Sequence, residues 1–259
     1  MNDELKFTVI SDTHYYSKKN FVDGFDKNKK PKPGQLFFSR SEEIVEHTFD
    51  CLCKNDTPDI VLISGDLTYN GERTSHDEMK AALKKLQQKG KRVYVITATH
   101  DYTTPRMPTY GIDKNDKYIE VESVNRTQLL KYYGDFGYNN AIAKHKSTMS
   151  YVAQLADGYR LFALNDDYGD PDCGFSDELM NWVKTEANNA KRDGQYIIAM
   201  THHPLVPPSP IYAAVAKGDM LNEYELRRNQ LSDLGFDFVL TGHTHMHNIS
   251  YCKIGNKKF

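Results

Sequence analysis

Five times along this chain a short apolar run of strand character gives way at once to a cluster of Asp and His. Residues 5–11 lead into Asp12-Thr13-His14, residues 60–63 into Gly65-Asp66, and residues 93–96 into Thr99-His100-Asp101. Residues 196–200 lead into His202-His203, and residues 236–240 into Gly242-His243-Thr244-His245. In an open α/β sheet, ligands bind in the crevice outside the carboxyl ends of the strands. The repetition therefore predicts that clusters far apart in sequence share one pocket.

The segments between the runs predict helices. Ser39-Arg40-Ser41-Glu42 has the capping-box pattern, with Ile44, Val45, Phe49 and Leu52 spaced for one helical face behind it. Ser75-His76-Asp77-Glu78 repeats that pattern ahead of Met79, Ala82, Leu83 and Leu86, and Gly90 closes the helix. Ser176 caps a third helix containing Leu179, Trp182 and Val183, and a fourth covers residues 223–234. Residues 149–155 and 159–164 flank Asp157-Gly158, a two-residue hairpin signal, and a last strand is expected over residues 249–254. A β-α-β-α-β series, then an antiparallel pair, then further strand–helix units predict an α/β domain with mixed sheets. One domain over residues 1–259 is expected, with insertions near 15–38 (including the lysine-rich run 27–32), 102–147 and 205–222. Loops of such length in a compact domain are usually functional.

Composition narrows the function classes. A hydrophobic fraction of 39% is that of a globular chain, and a net charge of −2 lacks the basic excess of a bulk nucleic-acid binder. No apolar run is long enough to span a bilayer, and the acidic, polar start Met1-Asn2-Asp3-Glu4 is unlike a secretory signal, so a cytoplasmic protein without a membrane partner is expected. Cys51, Cys53, Cys173 and Cys252 have neither zinc-ribbon nor disulfide-framework spacing.

The chemistry of the five clusters is consistent. Carboxylates and imidazoles together suit Zn, Mn or Fe, whereas Mg or Ca would favour oxygen alone. In Asp12-x-His14 and His243-x-His245, the alternation at a strand end lets both side chains face one ion. A lone Asp-x-His is a weak signal, but five such elements in order, each at a strand end, are specific. His47, His76, His145 and His247 match no part of the pattern and read as surface residues.

Taken together, these residues resemble the calcineurin-like metallophosphoesterase superfamily, whose elements here read Asp12-x-His14, Gly65-Asp66, Ala98-Thr99-His100-Asp101, His202-His203-Pro204 and Gly242-His243-x-His245. The resemblance implies a four-layer α/β/β/α sandwich of two mixed sheets with helices outside. It implies two transition-metal ions (Mn, Fe or Zn): Asp12, His14 and His245 on one, His202 and His243 on the other, and Asp66 bridging both. It further implies His100 beside a small phosphorylated substrate, oriented by Asp101, and hydrolysis of a phosphomonoester or phosphodiester by a hydroxide bridging the ions. Thr99 stands where relatives carry a ligating Asn, which implies that the second ion is held more loosely. The competing expectation is a scaffold or binding module on the same fold with a weakened metal site.

Overall fold

The computed structural model of the chain describes residues 4–21, 40–54, 56–115, 117–168, 172–236, 238–255 and 257–259. They form two compact units, residues 1–136 and 137–259. The lysine-rich run 27–32 and most of the expected insertion 15–38 lie outside the described residues.

The first unit is built on three parallel strands, β1 (Phe7–Ile10), β2 (Ile60–Ser64) and β3 (Arg92–Ile96), in the order β1-β2-β3. Every residue of β2 is buried, which explains its unbroken apolar sequence: a central parallel strand is covered on both faces. Crossovers through α1 (Ser41–Leu52) and α2 (Arg73–Gln88) connect the strands. Met79, Leu83 and Leu86 of α2 are fully buried, each contributing roughly 1.5–3 kcal/mol.

The expected capping box at Ser75 does not form, and the one at Ser39 begins outside the described residues. Ser39 lies outside the described residues, and α1 follows Arg40, which makes no side-chain cap. Ser75 falls inside the first turn of α2, which begins after Glu72. Ser75, and Ser41 at the start of α1, instead serve the segment from Tyr16 to Asn20. Ser41 Oγ accepts from Tyr16 N at 2.8 Å, and Ser75 Oγ accepts from Ser17 N at 3.1 Å and Asn20 Nδ2 at 3.2 Å. A buried amide without a partner costs more than a helix end open to water. Ile44 is 51% exposed, so α1 buries a narrower face, Val45, Phe49 and Leu52, than its spacing predicts.

The region expected as an insertion from residue 102 has structure of its own. It contains the antiparallel pair β4 (Gly111–Ile112) and β5 (Tyr118–Ile119), then α3 (Leu129–Tyr133).

The second unit holds a mixed five-stranded sheet, with β6 (Ala143–His145), β7 (Ser150–Ala156), β8 (Tyr159–Ala163), β9 (Tyr196–Met200) and β10 (Val239–Leu240) in the order β10-β9-β8-β7-β6. β8, β9 and β10 run parallel, and β6, β7 and β8 antiparallel. The β7–β8 hairpin turns at Asp157-Gly158, where Gly158 takes a φ of 80°. Ser176 does cap α4 (Asp177–Arg192), accepting from Leu179 N at 3.1 Å. α5 (Pro210–Val215) occupies the expected loop 205–222, and α6 (Tyr224–Asp233) follows it. β10 is shorter than the expected 236–240 because Phe236 turns into the core, edge-on to Phe162 at 5.0 Å. Of the last expected strand, β11 (Lys253–Ile254) pairs with β12 (Lys257–Lys258), and Cys252 just before it exchanges two backbone bonds with Phe259.

Two histidines expected at the surface are instead core residues. His76 is fully buried, with Nδ1 2.6 Å from Tyr133 Oη and Nε2 3.0 Å from the Asp101 carbonyl. Burial drives its pKa down to about 3. His145, also buried, packs on Trp182 at 5.4 Å. Helical and strand periodicity put these positions inward, and each ring finds polar partners there.

Candidate metal centre

In the first unit the candidate residues sit at the carboxyl ends of β1, β2 and β3, side by side because the strands are adjacent. The ladder extends past the strands and fixes the tips against each other: Asp12 N donates to Gly65 O at 3.1 Å, His14 N to Asp66 O at 3.0 Å and Tyr15 N to Leu67 O at 2.9 Å. His100 N in turn donates to Asp66 Oδ1 at 3.0 Å. His14 and Asp66 are buried, and the His14 and His100 rings meet edge-on at 4.7 Å.

The donor set fits a cation. His14 Nε2 lies 3.7 Å from Asp66 Oδ2 and 4.0 Å from Asp12 Oδ1, too far for hydrogen bonds. Bonds to an ion of about 2.0–2.2 Å put neighbouring donors roughly 3–3.5 Å apart, close to this spacing. His14, Asp66 and His100 each offer a ligand atom within 4.8 Å of the others.

Backbone strain marks the same residues. Eight non-glycine residues among those described have positive φ, and five of them are candidate ligands: Asp12 (53°), His14 (39°), Asp66 (52°), His243 (68°) and His245 (52°). A left-handed L-residue costs of order 1–3 kcal/mol, and such strain gathers at functional sites.

His100 is oriented by residues that the sequence pattern did not single out. Its Nδ1 is 2.6 Å from the Tyr69 carbonyl and 2.8 Å from Asn70 Oδ1. Both partners are acceptors, so Nδ1 carries the proton and Nε2 is left for chemistry. Asp101, expected to orient His100, braces the backbone that carries it. Its Oδ1 accepts from Thr68 N at 2.9 Å and its Oδ2 from Ala98 N at 2.9 Å, closing the tight turn Thr99–Asp101. Behind Asn70, the buried Glu72 carboxylate accepts from Asn70 N at 3.0 Å. Burial pushes its pKa up to about 7 against the opposing pull of that N–H.

In the second unit His202 and His203 follow β9, and His243 and His245 follow β10. Thr201 N donates to Leu240 O and Gly242 N to His202 O, both at 3.0 Å, which aligns the two tips. The His202 and His243 ring centroids are 5.2 Å apart, and those of His203 and His243 4.2 Å. His202 and His203 are buried, whereas His245 is exposed. Asp166, after β8, is a further residue the pattern missed. It is fully buried, and Oδ2 accepts from Thr201 Oγ1 at 2.7 Å, His202 N at 3.1 Å and His203 N at 2.7 Å. Oδ1 lies 3.2 Å from His203 Nδ1. Burial alone would push this carboxyl up, but the His203 and His202 rings and the His203 N–H hold it well below the usual carboxylate range. Asn165-Asp166-Asp167 after a strand was the signal that could have revealed it.

Residues 5–247 match the family described as calcineurin-like phosphoesterase. Among solved structures, a dimetal phosphatase from Danio rerio shares the fold at a TM-score of 0.62 and 12% identity, over 98% of this chain and 85% of that one. No curated protein matches.

Proposed function

We propose, since the chain belongs to the calcineurin-like phosphoesterase family, that it is a metal-dependent hydrolase acting on a phosphomonoester or phosphodiester. The observation carrying this reading is the His14–Asp66–His100 cluster at the carboxyl ends of three parallel strands. In this reading Asp12, His14 and His245 hold one ion, His202 and His243 the other, and Asp66 both. Mn, Fe or Zn suits the mixed oxygen and nitrogen donors. When bound, such a pair neutralises phosphoryl charge and lowers the pKa of water.

The chain's own residues do the rest. His100, its Nδ1–H held by Tyr69 O and Asn70 Oδ1, presents Nε2 to the leaving oxygen and, as the imidazolium, supplies its Nε2 proton there. Asp101 acts one step removed, by keeping the turn that carries His100. Asp166 holds the His202-His203 backbone. Thr99 offers a short neutral hydroxyl in place of an amide oxygen, so the second ion is held more loosely.

A scaffold role is the competing reading, and Thr99 is the observation in its favour. Against it stand Asp12, His14, Asp66, His100, His202, His243 and His245, which a scaffold has no chemical need to keep. Hydrolysis of bis(p-nitrophenyl) phosphate with added Mn²⁺ separates the two. The expected result is metal-dependent turnover that is lost in Asp66→Asn. A folded, metal-loaded protein inert toward this diester and toward p-nitrophenyl phosphate would establish the scaffold instead.

A further inference from the structure

Beside His100 the first unit sets a run of tyrosine rings that the chemistry above does not use. The Tyr69 ring centroid is 6.4 Å from that of His100, and the Tyr110 centroid is 6.0 Å from that of Tyr69. Tyr110 Oη donates to Tyr69 Oη at 3.2 Å, and Tyr118, 50% exposed, lies against Tyr110 at 4.0 Å. The run is anchored from behind. Tyr16, 1% exposed, meets Tyr69 edge-on at 5.6 Å and donates from Oη to the Tyr110 carbonyl at 3.0 Å. The next residue, Gly111, has no room for a Cβ, which would come within 2.7 Å of Val121 Cγ1 and 2.8 Å of the Asn20 carbonyl. Tyr69 and Tyr110 are nevertheless only half-buried, so part of each residue's surface stays open to solvent.

We propose that this run seats the leaving group, and that the substrate is a phosphoester whose departing alcohol carries a flat aromatic ring. The inference rests on the phosphoesterase reading. In hydrolysis the oxygen of water forms a new bond to phosphorus and releases its proton to solvent. The bond from phosphorus to the leaving oxygen breaks with its electron pair on that oxygen, which takes the Nε2 proton of the His100 imidazolium and leaves the ring neutral with its remaining proton on Nδ1. The proton donor must stand on the leaving-group side, so whatever hangs from that oxygen lies next to His100. The rings that neighbour His100 are Tyr69 and, beyond it, Tyr110. Pre-set aromatic faces favour another ring by offset stacking beyond what buried area supplies, and an aliphatic alcohol forgoes that gain.

The test uses the full chain loaded with Mn²⁺ and two esters of similar leaving-group acidity, 2-phenylethyl phosphate and n-butyl phosphate. Wild type is expected to favour the aromatic ester in kcat/KM by roughly tenfold. Tyr110→Phe keeps that ratio and Tyr110→Leu brings it toward unity. Tyr118→Leu, at a half-exposed position, serves as the second variant should Tyr110→Leu not fold. Equal kcat/KM for the two esters in wild type, or a ratio unmoved by both leucine variants, overturns the proposal. Calorimetric binding of 2-phenylethylphosphonate against butylphosphonate separates it from the parent reading. A preference for the aromatic ligand without turnover of either ester supports the tyrosine seat and faults the hydrolase assignment. Equal affinities overturn the seat whatever the turnover.

Discussion

His100 donates from Nδ1 to Asn70 Oδ1 over 2.8 Å, and the Tyr69 carbonyl shares the same proton at 2.6 Å. The ring orientation of the candidate acid is thus fixed by two neutral oxygens of one loop, and Nε2 is the nitrogen turned to the leaving oxygen in the proposed reaction. Asn70→Ala leaves the carbonyl alone to hold the ring, and kcat is expected to fall about 10–100-fold with KM little changed. Asn70→Asp, which keeps an acceptor at the same reach, restores most of the loss. Steady-state kinetics on a chromogenic ester checks both; a wild-type kcat in Asn70→Ala would show that the Tyr69 carbonyl suffices.

His100→Gln removes the proton donor without disturbing the backbone N–H that bonds Asp66 Oδ1. Turnover is expected to drop by about 10²–10⁴-fold, while the thermal midpoint stays close to that of wild type. Calorimetry beside the activity assay distinguishes loss of chemistry from loss of fold.

Thr99 predicts unequal metal retention. After dialysis against a chelator, elemental analysis is expected to find one ion per chain held and the other depleted. Thr99→Asn, by supplying an amide oxygen, should slow loss of the second. Two ions surviving in wild type would contradict the weak-site assignment.

Asp166 is expected to matter more for stability than for the chemical step. Its Oδ2 accepts from Thr201 Oγ1, His202 N and His203 N, and Asp166→Asn puts an amide nitrogen among these donors. Leaving them poorly paired in the interior costs on the order of 1–3 kcal/mol, readable as a shift in the urea midpoint, together with weaker metal retention from the displaced His202.

Two buried groups tilt stability with pH in opposite directions. His76, with a pKa lowered from 6.5 to about 3, is neutral in the fold, so its contribution is complete above pH 6.5 and is lost as pH falls toward 3. Glu72, raised from 4.5 to about 7, is favoured protonated, so its contribution is complete below pH 4.5 and is lost as pH rises through 7. Each is worth on the order of a few kcal/mol at its limit. Glu72→Gln should therefore gain on wild type across the window from pH 4.5 to 7. Denaturation curves at several pH values across that window that stay parallel would refute the Glu72 assignment.

Strands and strand tips were legible in the sequence because apolar runs and the Asp and His that end them are local signals. β2 and β9 lie where their runs predict, with β2 extending one residue further to Ser64, and α4 begins behind the predicted cap. Ser75 misled because a hydroxyl at a helix start serves whichever amide is most costly to leave bare, and here that amide belongs to the segment after Tyr16. Tyr69, Asn70 and Asp166 escaped notice because their roles depend on what lies across from them, and residue type and spacing do not carry that information. The same holds for His76, whose partners Tyr133 and Asp101 lie 57 and 25 residues away along the chain.

The three consecutive backbone bonds that tie residues 12–15 to residues 65–67 separate two tasks within the first unit. Asp12, His14 and Asp66 ride on this backbone ladder. The tyrosines at 110 and 118 ride on a small hairpin, whose side chains can change without moving Asp12, His14 or Asp66. In the proposed reading, selectivity can drift by substitution on the hairpin alone, while the strand tips proposed to hold the ions stay under a separate constraint.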